Sequence, residues 1–369
     1  MGAFARKLIA GVLGLGACLS AIALATAEGL GPMTLNSQAP LTPPGFHHLH
    51  LNSVNPDAAI EFYTRAFPST SKTTFGGQPA LRSPNNVLVL FNKVATPPAT
   101  QPQTAFWHFG WHVTNVREAL DRFLKQNVTL VPLYTGEGAG TVFISSDTWP
   151  GAGGVLGLTR AGIADARAKG VKPAGGAGFA YLRGPDDALV EYQGNMAAER
   201  FNHVHMFHDQ PFCAQLWYQR HLNVPVPGAR PGPASAEAST SAKAAADRSA
   251  RQAPRTLANC GVERGPDKTL PALDWDGMYR APSITNTVFG DVSLFWYMNQ
   301  TGTPAVSTRG RLMDHIALGV ADLDAWLAKL RAENVTFLEQ PYSVGGHRAF
   351  MIEGPSREAI ELLEMTKDK

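Results

Sequence analysis

Cysteine is scarce in this chain, three among 369 residues, and charge is thin, with 17% of residues Asp, Glu, Lys or Arg. Basic and acidic residues nearly balance, 32 against 30, and no basic stripe provides the electrostatic footprint of a nucleic-acid binder. Also missing are the G-x-S-x-G elbow, the Walker phosphate loop and the dinucleotide fingerprint, so nothing supports hydrolase, NTPase or nicotinamide chemistry of those designs. The Gly-rich stretches 151–154 and 175–178 lack the strand, lysine and spacing of such loops and read as punctuation. An apolar content of 44% is ordinary for a globular protein and fits neither global disorder nor a polytopic membrane protein. The length suits two domains, each able to bury a core.

What is present begins with a leader. Arg6 and Lys7 precede an apolar run that ends in Ala25-Thr26-Ala27, a small-x-small cleavage pattern. Residues 1–27 are therefore expected to be a secretory signal peptide, and the mature protein to be periplasmic or secreted, with no stable membrane insertion. Leu15-Gly16-Ala17-Cys18 resembles a lipobox, but the apolar run continues to Leu24, which suits cleavage after Ala27 better than anchoring at Cys18. Cleavage leaves Cys213 and Cys260, which can pair in an exported protein or remain a buried thiol and a loop thiol. Residues 28–45 read as a Pro/Gly-rich linker. Two insertions are expected, a lid-like one at about 146–177 and a low-complexity, exposed one at about 228–272.

Between these breaks the chain repeats itself. "FHHLHLNSVNPDAAIEFYTRAF", from Phe46, returns as "FNHVHMFHDQPFCAQLWYQRHL", from Phe201, with His48 and His203 each fifteen residues before a tyrosine. His108 and His315 each stand nineteen residues before an Asn-Val-Thr, and Glu191 and Glu361 each follow a Gly-Pro whose glycine lies seven residues earlier. Every segment opens on a short alternating strand with a histidine, continues into a helix and closes in further strands. Helical spacing places Ala59, Phe62, Tyr63 and Phe67, and likewise Leu120, Phe123 and Leu124, on inward faces. The fold class expected is α+β, four βαβββ units forming two cup-shaped mixed sheets, in domains 46–197 and 198–369.

The opening "H-x-x-L-x-x-x-x-x-D-A-A-x-x-F-Y" and the closing "Y-L-R-G-P-D-D-A-L-V-E-Y" resemble the vicinal oxygen chelate superfamily of glyoxalases, extradiol dioxygenases and bleomycin-resistance proteins. The resemblance implies a metal site inside each cup, with ligands on the first strand of each unit and the last strand of the pair. Carried over to this sequence, it selects His48, His108 and Glu191 in the first domain, and His203, His315 and Glu361 in the second. Two imidazoles and a carboxylate suit a divalent first-row metal, Fe(II) foremost, with Mn(II) or Zn(II) as alternatives. Strand alternation turns His50, His112 and His205 to the same interiors, as acid/base groups or donors to substrate.

Tyr181 matches a substrate-binding tyrosine of the extradiol enzymes, and the matching position in the second domain is Met351, which cannot donate. That contrast places the expected active site in the first domain. The closing strands "VLVLF" and "SLFWY" offer no fourth carboxylate of the glyoxalase I kind, and residues 64–107 contain no histidine where the dioxygenases keep a catalytic one. The resulting expectation is an exported, metal-dependent dioxygenase acting on a small oxygenated substrate, an aromatic diol among the candidates. A glyoxalase-like lyase or isomerase and a non-catalytic small-molecule binder are the alternatives. The partner is a small molecule and not a nucleic acid, and a homodimer is compatible with the family.

Overall fold

The structure is a computed structural model that describes residues 41–136, 140–147, 168–171, 177–225, 256–261, 272–273, 279–280, 285–299, 301 and 303–365. The leader, most of the linker, most of both insertions and the C-terminal tetrapeptide lie outside the described residues. No helix among the described residues is long and apolar enough to cross a membrane.

The first half-unit runs β1 (Gly45–Ser53), α1 (Pro56–Ala66), β2 (Ser71–Phe75), β3 (Gln78–Arg82) and β4 (Leu88–Lys93). The second runs β5 (Phe106–His112), α2 (Val116–Lys125), β6 (Leu130–Val131), a ribbon of β7 (Tyr134–Gly136) and β8 (Gly140–Val142), β9 (Phe179–Arg183) and β10 (Leu189–Gln193). In the third are β11 (Arg200–His208), α3 (Pro211–Leu222), a ribbon of β12 (Ala272–Leu273) and β13 (Tyr279–Arg280), β14 (Thr285–Phe289) and β15 (Val292–Met298). The fourth is β16 (Met313–Val320), α4 (Leu323–Ala332), β17 (Phe337–Val344), β18 (His347–Glu353) and β19 (Ala359–Glu364). Local chemistry sets the helix starts. Asn55, Asn115 and Asp322 each cap a helix by accepting from backbone N–H groups of the first turn, and Pro56 occupies the first turn of α1.

Two mixed sheets result, one of eight strands in the order β17-β18-β19-β16-β1-β4-β3-β2 and one of seven in the order β14-β15-β11-β5-β10-β9-β6. The partners differ from those expected of domains 46–197 and 198–369. The first and fourth half-units build the eight-stranded sheet, and the second and third build the other. Connection length accounts for this. The short link 194–199 delivers β11 to the free edge of β5, whereas the longer links 94–105 and 299–312 carry the chain from one sheet to the other. We call the two concave faces the outer cup (half-units one and four) and the inner cup (two and three).

One apolar core serves both sheets. Leu49, Leu51, Phe109, Trp111, Val204, Met206, Ile316 and Leu318 alternate with the histidines along the four first strands and are buried in it. Tyr63 on α1 joins the sheets, with its ring centroid 5.9 Å from Phe91 and 6.1 Å from Phe109. Ala59, Tyr63, Phe67 and Phe123 are buried as expected, but Leu124 is 52% exposed, because the inward arc of α2 is already filled by Val116, Ala119 and Phe123. The repeated Gly-Pro has a packing role at its first occurrence, where a Cβ on Gly184 would crowd the Tyr63 hydroxyl. Cys213 and Cys260, left open between pairing and free thiols, form a disulfide.

Candidate metal centres

In each sheet the two first strands lie side by side and antiparallel, which sets their histidines face to face. His50 is in register with His315 across β1 and β16, and His205 with His108 across β11 and β5. The closing strands β19 and β10 run parallel beside them and bring in Glu361 and Glu191. The six expected ligands therefore regroup. His48 joins His315 and Glu361 in the outer cup, and His203 joins His108 and Glu191 in the inner. The expected sets His48/His108/Glu191 and His203/His315/Glu361 do not form, because His48 and His203 each lie in the other sheet.

In the outer cup His48 is buried, with Nε2 3.5 Å from Glu361 Oε2 and Nδ1 2.8 Å from His47 Nδ1. His315 Nδ1 lies 2.7 Å from the Asp314 carboxylate, which fixes its ring and leaves Nε2 free to coordinate. Burial alone would raise the Asp314 carboxyl, but the His315 hydrogen bond and charge, the Gly310 N–H and Arg309 hold it below the usual range. Burial, then the neighbouring imidazoles, push His48 well below its ordinary value, and burial with His315 takes His50 down to about 3, so both are neutral at pH 7. Tyr342 donates its hydroxyl to Glu361 Oε1. This tyrosine comes from β17, one strand over from Met351, so the outer cup has the donor that the sequence comparison with Tyr181 missed. A cavity of about 270 Å³ opens above these groups, lined by His48, His50, His315, Glu361, Tyr342 and Arg309 among others. Arg309 pairs with Asp314 and, at 2.6 Å, with Glu339.

In the inner cup His108 Nε2 and the Tyr181 hydroxyl lie 3.1 and 3.0 Å from Glu191 Oε2. Tyr181 thus holds the carboxylate, as Tyr342 does in the outer cup. His203 Nε2 is 3.7 Å from Glu191 Oε1, and His205 Nδ1 is 3.8 Å from Oε2. Asn202 Oδ1 and Gln193 Nε2 approach His203 Nδ1 at 3.0 and 3.3 Å. Gly110, in register with His203, makes room for its ring, since a Cβ there would collide with the imidazole. Burial lowers His108 and His205 well below the ordinary histidine value and, despite the Glu191 charge, takes His203 to about 3; burial also raises Glu191. His112, at the strand end, stands outside the cluster, lowered to about 4 by burial and Arg200.

These donors fit a divalent first-row ion. Glu361 Oε2, His203 Nε2 and His205 Nδ1 are buried without a hydrogen-bond partner, each a cost of about 1–3 kcal/mol in a neutral, dry setting. One cation per cup would satisfy them. Among the described residues, the ligand atoms of His108, Glu191, His203 and His205 lie within 4.8 Å of one another, as do those of His48, His50 and His315.

Two curved mixed sheets with paired first-strand histidines define a vicinal-oxygen-chelate fold. Residues 200–362 match the family model described as Glyoxalase/Bleomycin resistance protein/Dioxygenase superfamily, and that part of the chain belongs to it. Two mutant forms of glyoxalase I from Zea mays superpose with TM-scores of 0.52, at 13% and 14% identity, over 87% of this chain and 92% and 94% of theirs. At that identity the likeness is one of fold. No curated protein matches the chain in sequence.

Proposed function

We propose that the chain is an exported, metal-dependent enzyme of the dioxygenase type, acting in the outer cup on a small molecule with two vicinal oxygens, an aromatic diol foremost. The observation that carries this reading is the His48, His315 and Glu361 set beneath an open cavity of about 270 Å³. His48, His315 and Glu361 would hold a divalent ion, Fe(II) first and then Mn(II) or Zn(II), and three protein donors would leave it open to substrate. Such an ion would supply Lewis-acid chemistry, lowering the pKa of a substrate hydroxyl.

The chain's own residues do the rest. His50, half-buried and neutral, faces the same cavity and is the group placed to take the hydroxyl proton. Tyr342 aims the Glu361 carboxylate, and Asp314 keeps His315 in the tautomer that presents Nε2. Leu90 and Met351 provide an apolar wall for a ring. Leu90 lies on β4, the closing strand from which a fourth carboxylate would come. The Cys213–Cys260 disulfide and the 1–27 leader pattern support export, since such bonds persist in oxidising compartments.

Oxygen uptake by Fe(II)-loaded protein with a panel of aromatic diols tests the reading. Uptake that matches substrate loss is the expected outcome. Substrate conversion without uptake would favour the lyase or isomerase alternative, and tight binding without turnover the sequestering one.

A further inference from the structure

The two cups share a histidine that the ligand triad does not use, His50 in one and His205 in the other, two residues beyond the first-strand ligand. Their surroundings differ. In the outer cup His50 forms a group with His48 and His315, while Glu361 stands outside that group and approaches it through His48 at 3.5 Å. In the inner cup Glu191 belongs to the group, and all four donor atoms lie within 4.8 Å of one another.

We propose that His205 is a fourth protein ligand in the inner cup, which therefore holds a divalent first-row ion through His108, Glu191, His203 and His205. Ligand atoms about 2.0–2.2 Å from one ion lie no more than about 4.4 Å apart. The separations from Glu191 are 3.1 Å to His108, 3.7 Å to His203 and 3.8 Å to His205, so His205 lies within 0.1 Å of the His203 distance and inside that limit. His205 Nδ1 is buried, turned towards the carboxylate and without a hydrogen-bond partner, the same condition as the accepted ligand atom His203 Nε2. Its ring centroid is 4.3 Å from those of both His108 and His203, which places it between the other imidazoles and not at the cup rim. Aromatic rings of Phe295 and Tyr297 flank it at 4.9 and 5.1 Å, fixing its plane.

With four protein donors, all buried, the inner centre would leave less room for further ligands than the three-donor set beneath the open cavity of the outer cup, to which the two-reactant chemistry is assigned. This inference does not depend on that assignment, and its test involves no turnover.

The experiment uses the full mature chain carrying His48→Ala and Glu361→Ala, so that Co(II) reports on the inner cup alone. X-ray absorption should count three imidazoles on the ion; two would overturn the proposal. His205→Cys added to this background should produce a sulfur-to-cobalt charge-transfer band in the near ultraviolet, and His205→Ala should shorten metal retention against a chelator by about tenfold or more. Unchanged retention and visible spectrum in His205→Ala, with no charge-transfer band in His205→Cys, would equally remove His205 from the ligand set.

Discussion

His50 sits directly across from His315 in the middle of the eight-stranded sheet, although the two come from opposite ends of the sequence. The candidate ligand set of the outer cup is therefore assembled by the pairing of the first and last half-units, and it shares no residue with the inner set.

This grouping makes an expected outcome for metal content. Glu361→Ala and His48→Ala should each empty the same cup, so the double variant should bind as much metal as either single one. Combining His48→Ala with Glu191→Ala should empty both. Metal analysis of the four proteins checks it, and additive loss in the first pair would contradict the sheet pairing.

Gly110→Ala should displace the His203 ring, because the added methyl collides with it. Metal affinity of the inner cup should fall by about tenfold or more while the outer cup is unaffected. Equilibrium dialysis on outer-cup and inner-cup knockout backgrounds separates the two effects.

Acid should destabilise the metal-free protein. His50 and His203 titrate at about 3 in the folded state, and His47 and His112 at about 4, against 6.5 for a free imidazole. Below pH 6.5 the unfolded chain binds more protons than the folded one, so stability present above 6.5 is lost progressively as the pH falls towards 3. Glu358 works in the opposite sense: burial raises it to about 7, so its contribution weakens as pH rises from 4.5 to 7. The histidines outnumber it, and the thermal midpoint should drop between pH 6.5 and 4.5. A flat profile there would contradict the burial of neutral imidazoles.

Replacing Cys213 and Cys260 by serine should lower stability by about 2–4 kcal/mol, the usual effect of a native disulfide. Denaturant unfolding of oxidised protein and the double variant measures it. Protein isolated from the exported fraction should begin at Glu28 and contain no free thiol.

Much of this fold was legible in the sequence, and the reason is periodic. Alternation of histidine with Leu, Phe, Val or Ile along four short strands marks one face for the core and one for the cup, and the Glu191 and Glu361 positions follow from the repeated Gly-Pro offset. Which half-units share a sheet was not legible, because all four first strands carry nearly the same pattern and pairing is decided by the lengths of the connections. For the same reason His48 and His203 were grouped with the wrong partners. Tyr342 is hard to read from the sequence because it reaches Glu361 across the intervening strand β18, a contact that only the strand order and register create. His205 was legible as a cup-facing group, while its approach to Glu191 depends on the register of β5 with β11.

The outer cup is the proposed place of oxygen-consuming turnover. The decisive measurement is oxygen uptake with an aromatic diol by Fe(II)-loaded Glu361→Ala and Glu191→Ala, compared with the unaltered protein. Loss of about a hundredfold or more in Glu361→Ala, with most activity kept in Glu191→Ala, is the predicted result. Activity that survives Glu361→Ala and disappears in Glu191→Ala would contradict the assignment of the reaction to the outer cup.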